Sequence, residues 1–84
     1  MADVVPAVKD YILRSFLQGE DPENLTRTTE LIRSGILDSL ATLELVSFLE
    51  ESFGIQLEAH DVGPANLGTL DSIDRLVNAK LAGQ

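Results

Sequence analysis

Between Asp38 and Phe53, the side chains Thr42, Leu45, Val46, Leu49 and Phe53 return at intervals of three and four. That period lines one side of an α-helix, so a helix is predicted over Asp38 to Phe53. Gly54 follows it at the position where a left-handed residue commonly ends a helix. The same spacing recurs at both ends of the chain. Val5, Val8, Ile12 and Phe16 mark a first helix within Ala2 to Gln18, capped by Asp3, tolerant of Pro6 in its first turn, and ended by Gly19 and Asp21-Pro22. Thr69 caps a last helix with Leu70, Ile73, Leu76, Val77 and Leu81 on its buried side. Ile55-Gln56-Leu57 is too short for more than an extended linker, and Glu58 to Val62 is expected to make one helical turn closed by Gly63-Pro64. The predicted class is all-α, a small bundle of three main helices and one short one.

Gly19 to Leu37 has no sustained period and is long for a connection in so small a chain. It is expected to be an ordered loop crossing the bundle, pinned by Leu25, Leu31, Ile32, Ile36 and Leu37. At 84 residues the chain is read as one domain, 1–84, with one modest core. The absence of cysteine excludes a disulfide framework, a thiol nucleophile and a thiolate metal site. No apolar run approaches the ~20 residues of a membrane span and no signal peptide is evident, so a cytoplasmic, soluble protein is expected.

The net charge of −8 is unevenly placed. Ser34 to Asp74 contains no Lys or Arg and holds eight acids: Asp38, Glu44, Glu50, Glu51, Glu58, Asp61, Asp71 and Asp74. The flanks carry six acids against six bases and cancel. Such a field repels nucleic acid and anionic lipid and attracts basic protein surfaces, so neither a nucleic acid nor a membrane is expected as partner.

Catalysis is hard to build from these residues. A serine nucleophile needs a base within hydrogen-bond reach, and His60 is the sole histidine. In an acidic loop it reads as a solvated surface residue. His60, Asp61, Asp71 and Asp74 match no metal-ligand spacing. Gly35, Gly63 and Gly68 are isolated and make no phosphate-cradling loop. No catalytic residue and no metal site are assigned.

Ser39 stands where a glycine-led turn meets the central helix. Asp38-Ser39 is ordinary capping chemistry in a three-residue view. The first turn of a helix also offers unpaired N–H groups and a positive dipole end, where an anionic phosphodiester is well tolerated. Leu40, Glu44, Ser47 and Glu51 lie on a second face of this helix, at spacings of four, three and four, with Leu43 beside them. An outer face of that kind suits a partner. Composition and periodicity fit an unmodified acidic helical interaction module equally well.

The longer pattern separates the two. Leu31-Ile32-Arg33-Ser34-Gly35-Ile36-Leu37-Asp38-Ser39-Leu40, followed by Glu44-Leu45-Val46, Leu49-Glu50-Glu51 and Phe53-Gly54-Ile55, closely resembles the acyl carrier protein family. The resemblance follows the helix order of the whole chain and is densest from Leu31 to Val77. It implies that Ser39 carries 4′-phosphopantetheine, added from coenzyme A by a phosphopantetheinyl transferase. It further implies a non-catalytic, monomeric carrier holding an acyl or aminoacyl thioester for loading and downstream biosynthetic enzymes with basic docking surfaces. Asp38, Leu40, Leu43, Glu44, Ser47 and Glu51 are the residues expected to meet those partners. Asp71-Ser72-Ile73 repeats the triplet without a Gly-Ile-Leu lead-in or a following acidic helix, so Ser72 reads as structural. Ala41 stands where housekeeping fatty-acid carriers commonly have an acid. Ser34 to Leu37 and Asn66 to Ile73 look more like stand-alone carriers of specialised pathways, among them polyketide and D-alanyl carriers.

Overall fold

The computed structural model describes residues 4–17, 19, 23 and 25–83. Among them are four α-helices: α1 (Val4–Phe16), α2 (Ser39–Phe53), α3 (Pro64–Leu67) and α4 (Leu70–Ala82), with a 3₁₀ turn at Ala59–Asp61 between α2 and α3. The first helix ends at Phe16, with Leu17 already outside it, where Ala2–Gln18 was expected, and its described residues begin at Val4. Its expected cap, Asp3, and the Asp21-Pro22 stop lie outside the described residues. Gly19 does adopt a positive φ of 86°, which suits a chain leaving a helix.

α1 buries Val4, Val8 and Ile12, one side chain per turn, mainly against α4. Val5 and Phe16, expected inside, sit at the rim half-buried. A four-residue step keeps side chains nearly in line along the axis, so Val4 rather than Val5 continues the row of Val8 and Ile12. α2 shows the same narrowing. Its buried row is Ala41, Leu45 and Leu49, while Thr42, Val46 and Phe53 flank that row. Ala41 was missed because a small residue gives a weak periodic signal. Phe48 is drawn inward by Tyr11, whose ring stacks on it at 4.1 Å between centroids. Phe16 meets Tyr11 edge-on, at 5.8 Å.

From Leu25 onward the long connection is pinned by its own leucines, as expected. Leu25, Leu31 and Leu37 are buried in the common core, and Ile32 and Ile36 pack at its edge. Its backbone is also tied across the bundle. Leu31 N–H donates to the Gly68 carbonyl at 2.7 Å, and Asp71 N–H donates to the Arg27 carbonyl at 3.1 Å. Arg27 reaches the same helix end through its side chain, bonding Asp71 at 2.5 Å and Asp74 at 3.5 Å.

The helical turn expected within Glu58 to Val62 is the 3₁₀ turn, which ends at Val62 directly before Gly63-Pro64, and the same dipeptide then starts a further helix that was not expected. That helix is α3, with Gly63 as N-cap and Pro64 in the first turn, where the missing proline N–H costs no hydrogen bond. Thr69 caps α4 as expected, its hydroxyl accepting from Ser72 N–H at 3.1 Å. Leu70, Ile73, Leu76 and Val77 are buried along α4, and Leu81 is half-buried.

Asp61 is the one buried charged side chain among the described residues. Its carboxylate meets Lys80 Nζ at 2.7 Å and accepts the Glu58 N–H at 3.0 Å. The Lys80 hydrogen bond, reinforced by the Glu58 N–H, holds the Asp61 carboxyl below the usual carboxylate range. The bond to Asp61 raises Lys80 above its ordinary value, against the opposing effect of burial.

Two outcomes follow from this packing. Leu49 is fully buried whereas Leu43 is 63% exposed, so Leu49→Ala should cost about 2–5 kcal/mol and Leu43→Ala much less, as read by chemical denaturation. Equal losses would contradict the face assignment. Asp61 binds its proton more weakly folded than unfolded, where its value is about 3.9. The stabilisation is therefore complete above about pH 4 and is lost as pH falls through the depressed folded value. Asp61→Asn should melt below the parent at neutral pH, and the gap should narrow toward acid. A constant gap across the acid range would show that the pair adds nothing.

Candidate functional site

The turn before α2 is set by Gly35, whose φ of +87° belongs to the left-handed region that glycine enters freely. Leu37 then closes the loop on itself, its N–H donating to the Leu31 carbonyl at 2.9 Å. Asp38 follows in extended geometry as the N-cap of α2, and its carboxylate accepts the Ala41 N–H at 2.8 Å. The capping role is thus filled by Asp38. Ser39 is the first residue of the helix, exposed, with its hydroxyl in no hydrogen bond to a described residue. Ser72 is the opposite case. It is half-buried, and its hydroxyl lies 3.0 Å from that of its own cap, Thr69.

The residues expected to face a partner are all exposed on α2 or at its cap: Asp38, Leu40, Leu43, Glu44, Ser47 and Glu51. Leu40 and Leu43 are the two large hydrophobic side chains left exposed among the described residues, at 66% and 63%. Glu44 and Glu51 lie two turns apart, roughly 10 Å along the axis, and neither has an ion-pair partner among the described residues. Tyr11, on α1, borders this face. Burial raises its phenol above the usual tyrosine value, the nearby Glu44 charge adds to that, and a hydrogen bond with Ser15 opposes it.

The acidic stretch does not act as one field. Asp61 is paired with Lys80, and Asp71 and Asp74 with Arg27, both bases coming from outside the base-free segment. Glu50 turns back to accept the Leu57 N–H at 2.9 Å. Asp38, Glu44 and Glu51 are left exposed without an ion-pair partner among the described residues on the cap and outer face of α2, while Glu58 has only His60 beside it.

A groove of about 580 Å³ opens beside Ser39. Asp38, Ser39, Thr42 and Leu43 form one wall, Val62, Gly63 and Pro64 the other, and Ile32 and Leu37 line it from the loop. The second wall was not anticipated from sequence. Val62 to Pro64 carry no motif, and only the fold places them opposite Ser39.

Glu58, His60 and Asp61 come together at the 3₁₀ turn, with potential ligand atoms within 4.8 Å of one another. Asp61 is already committed to the Lys80 ammonium and to the Glu58 N–H. A resident positive charge at that carboxylate disfavours a metal ion there. His60 is exposed, as expected.

No protein-family model matches the chain. It is 34% identical over 68 residues to the probable acyl carrier protein PigG of Serratia sp. (strain ATCC 39006), covering 81% of this chain and 77% of that one. The fold matches the solution NMR structure of the holo acyl carrier protein NE2163 from Nitrosomonas europaea with a TM-score of 0.79 and 26% identity, over 96% of this chain and 99% of that one. A chain from the crystal structure of an FAD-dependent dehydrogenase matches with a TM-score of 0.76 and 26% identity, over 83% of this chain and 97% of that one. With the relative, the four-helix architecture and the exposed serine beside its cap in agreement, the chain belongs to the acyl carrier protein family.

Proposed function

We propose that residues 1–84 act as a single carrier domain, a cytoplasmic monomer without catalytic activity, loaded on Ser39 with 4′-phosphopantetheine. The division of labour between Asp38 and Ser39 supports this reading most directly. An aspartate caps α2 through Ala41 N–H, so the adjacent serine hydroxyl is exposed and uncommitted at the positive end of a fifteen-residue helix. Among the described residues no helix is long and apolar enough to cross a membrane.

In the proposed loading, the Ser39 hydroxyl oxygen attacks the phosphorus of coenzyme A nearer the pantetheine. The Ser39 O–P bond forms, the P–O bond of the pyrophosphate breaks, and adenosine 3′,5′-bisphosphate leaves. The serine proton passes to a base on the transferase. The arm supplies a terminal thiol, on which acyl or aminoacyl cargo is held as a thioester. The groove fits such a group: its lining by Ile32, Leu37, Leu43, Val62 and Pro64 beside Ser39 supports its use as a shelter for the arm and its cargo.

Asp38, Leu40, Leu43, Glu44, Ser47 and Glu51 form the proposed docking face for the transferase and for loading and downstream enzymes. Exposed leucines supply an apolar contact at its centre, and the unpaired glutamates select basic surfaces. The reading keeps this carrier among the stand-alone, specialised members, with a fatty acyl, polyketide or aminoacyl cargo.

Incubation with coenzyme A, magnesium and a promiscuous transferase should add one phosphopantetheine by intact mass. Ser39→Ala should abolish the addition and Ser72→Ala should not. Modification that survives Ser39→Ala would return the chain to the class of unmodified acidic interaction modules. The docking face is tested by rate. Glu44→Lys and Glu51→Lys should leave the fold intact, since exposed charges add little stability. Each should slow modification at low salt, and the double variant should also lose much of the salt dependence. A double variant modified at the parental rate would reduce these glutamates to solvated surface.

A further inference from the structure

We infer that the Asp61–Lys80 ion pair is a positioning device for the outer wall of the Ser39 groove, and so governs how well a thioester held there is shielded. Its second half rests on the carrier reading above.

A buried ion pair often adds little net stability over an apolar pair of the same volume, whereas breaking one partner is costly. Its more dependable effect is to admit one geometry. Asp61 makes three such fixed contacts. Its carboxylate meets Lys80 Nζ on α4 at 2.7 Å and accepts the Glu58 N–H at the start of the 3₁₀ turn at 3.0 Å. Its carbonyl accepts from Asn66 Nδ2 on α3 at 3.1 Å. One residue therefore joins the turn, α3 and the last turns of α4.

Val62, Gly63 and Pro64 follow Asp61 directly, and these are the groove wall facing Ser39, Thr42 and Leu43. α3 packs extensively on α4 and far less on α2. The wall is thus held from behind, by α4, and not from across the groove. Lys80 is the charged tether on that side, 29% exposed, while the Asp61 side chain is only 10% exposed. His60 lies 3.4 Å from Glu58 and 3.5 Å from Asp61 on the solvent side of the turn, where it does not reach α4. Cutting the tether should release the wall while leaving the α1 face of the core packed.

The test begins with the chain before modification, by amide hydrogen exchange of the parent, Lys80→Met, Lys80→Arg and the double variant Asp61→Asn/Lys80→Met. The double variant leaves no unpaired buried charge and guards against simple unfolding of the single one. Val62, Asn66 and Leu67 amides, which donate to the Ala59 and Gly63 carbonyls, should exchange several-fold faster in Lys80→Met and in the double variant, with Val8 and Ile12 unchanged in the double variant and with Lys80→Arg restoring the parental rates. Unchanged exchange at Val62, Asn66 and Leu67, or a uniform rise in the double variant that includes Val8 and Ile12, would overturn the inference. The second readout uses chains loaded from octanoyl-coenzyme A. Hydroxylamine attacks the thioester carbonyl, forming a C–N bond and releasing the thiol, and should do so several-fold faster in Lys80→Met than in the parent or Lys80→Arg. Equal cleavage in a parent shown to protect its thioester would also overturn it. If parental octanoyl thioester is cleaved as fast as free octanoyl-pantetheine, the sheltering role of the groove falls. The positioning role is then decided by the exchange data alone.

Discussion

Leu31 N–H donates to the Gly68 carbonyl at 2.7 Å, and much of the functional end of this molecule depends on that bond. It fastens the middle of the long connection to the junction of α3 and α4. Leu25, Leu31 and Leu37 then anchor the loop in the core on either side of the bond. Gly68 has to be glycine for a reason unrelated to its backbone angles. A Cβ there would collide with the Pro64 carbonyl oxygen, so a larger residue would require the α3 backbone to shift. The loop side of the groove, from Ile32 and Leu37, is therefore fixed to the far end of α3 by the Leu31–Gly68 bond, while the Asp61–Lys80 pair ties the near end of α3 to α4.

Electrostatics distinguish a back, where three acids meet bases, from the outer face of α2, where acid stands unpaired among the described residues. Arg27 and Lys80 reach from outside the acidic stretch to pair with Asp71, Asp74 and Asp61. These pairs hold the connection and the 3₁₀ turn against α4. What remains on the outer face of α2 is acid without a partner among the described residues, around two exposed leucines. Uncompensated charge projects into solvent and steers encounter, whereas compensated charge acts only locally. A net charge of −8 thus becomes directional through its pairing and not through its total.

Much of the fold was legible in one dimension. The long helices carry strong apolar periods, and Gly54 and Thr69 sit at α2's end and α4's start as predicted, because end signals act within a few residues. The exposed face of α2 was legible for the same reason. The misassignments share a different cause. Val5, Val46 and Phe53 belong to the correct face of their helices but sit off its centre line, and the depth of burial depends on which neighbour the helix meets. Gly63-Pro64 follows the end of the 3₁₀ turn as expected, but α3 was missed because the same dipeptide also suits a helix start and four residues carry too little periodicity to show it.

The sequence by itself determined the helical class, the turn that presents Ser39, the acid on the outer face of α2 and the resemblance to acyl carrier proteins. Each of these rests on residues within a few turns of one another, where propensity, spacing and capping operate. Only the tertiary structure decided that Asp38 takes the capping bond and leaves the Ser39 hydroxyl uncommitted. It alone brought Val62 to Pro64 opposite Ser39, and Lys80 to Asp61 across nineteen positions of chain. Those outcomes arise from contacts between distant segments, whose energies exist only after the core has closed and set the segments side by side.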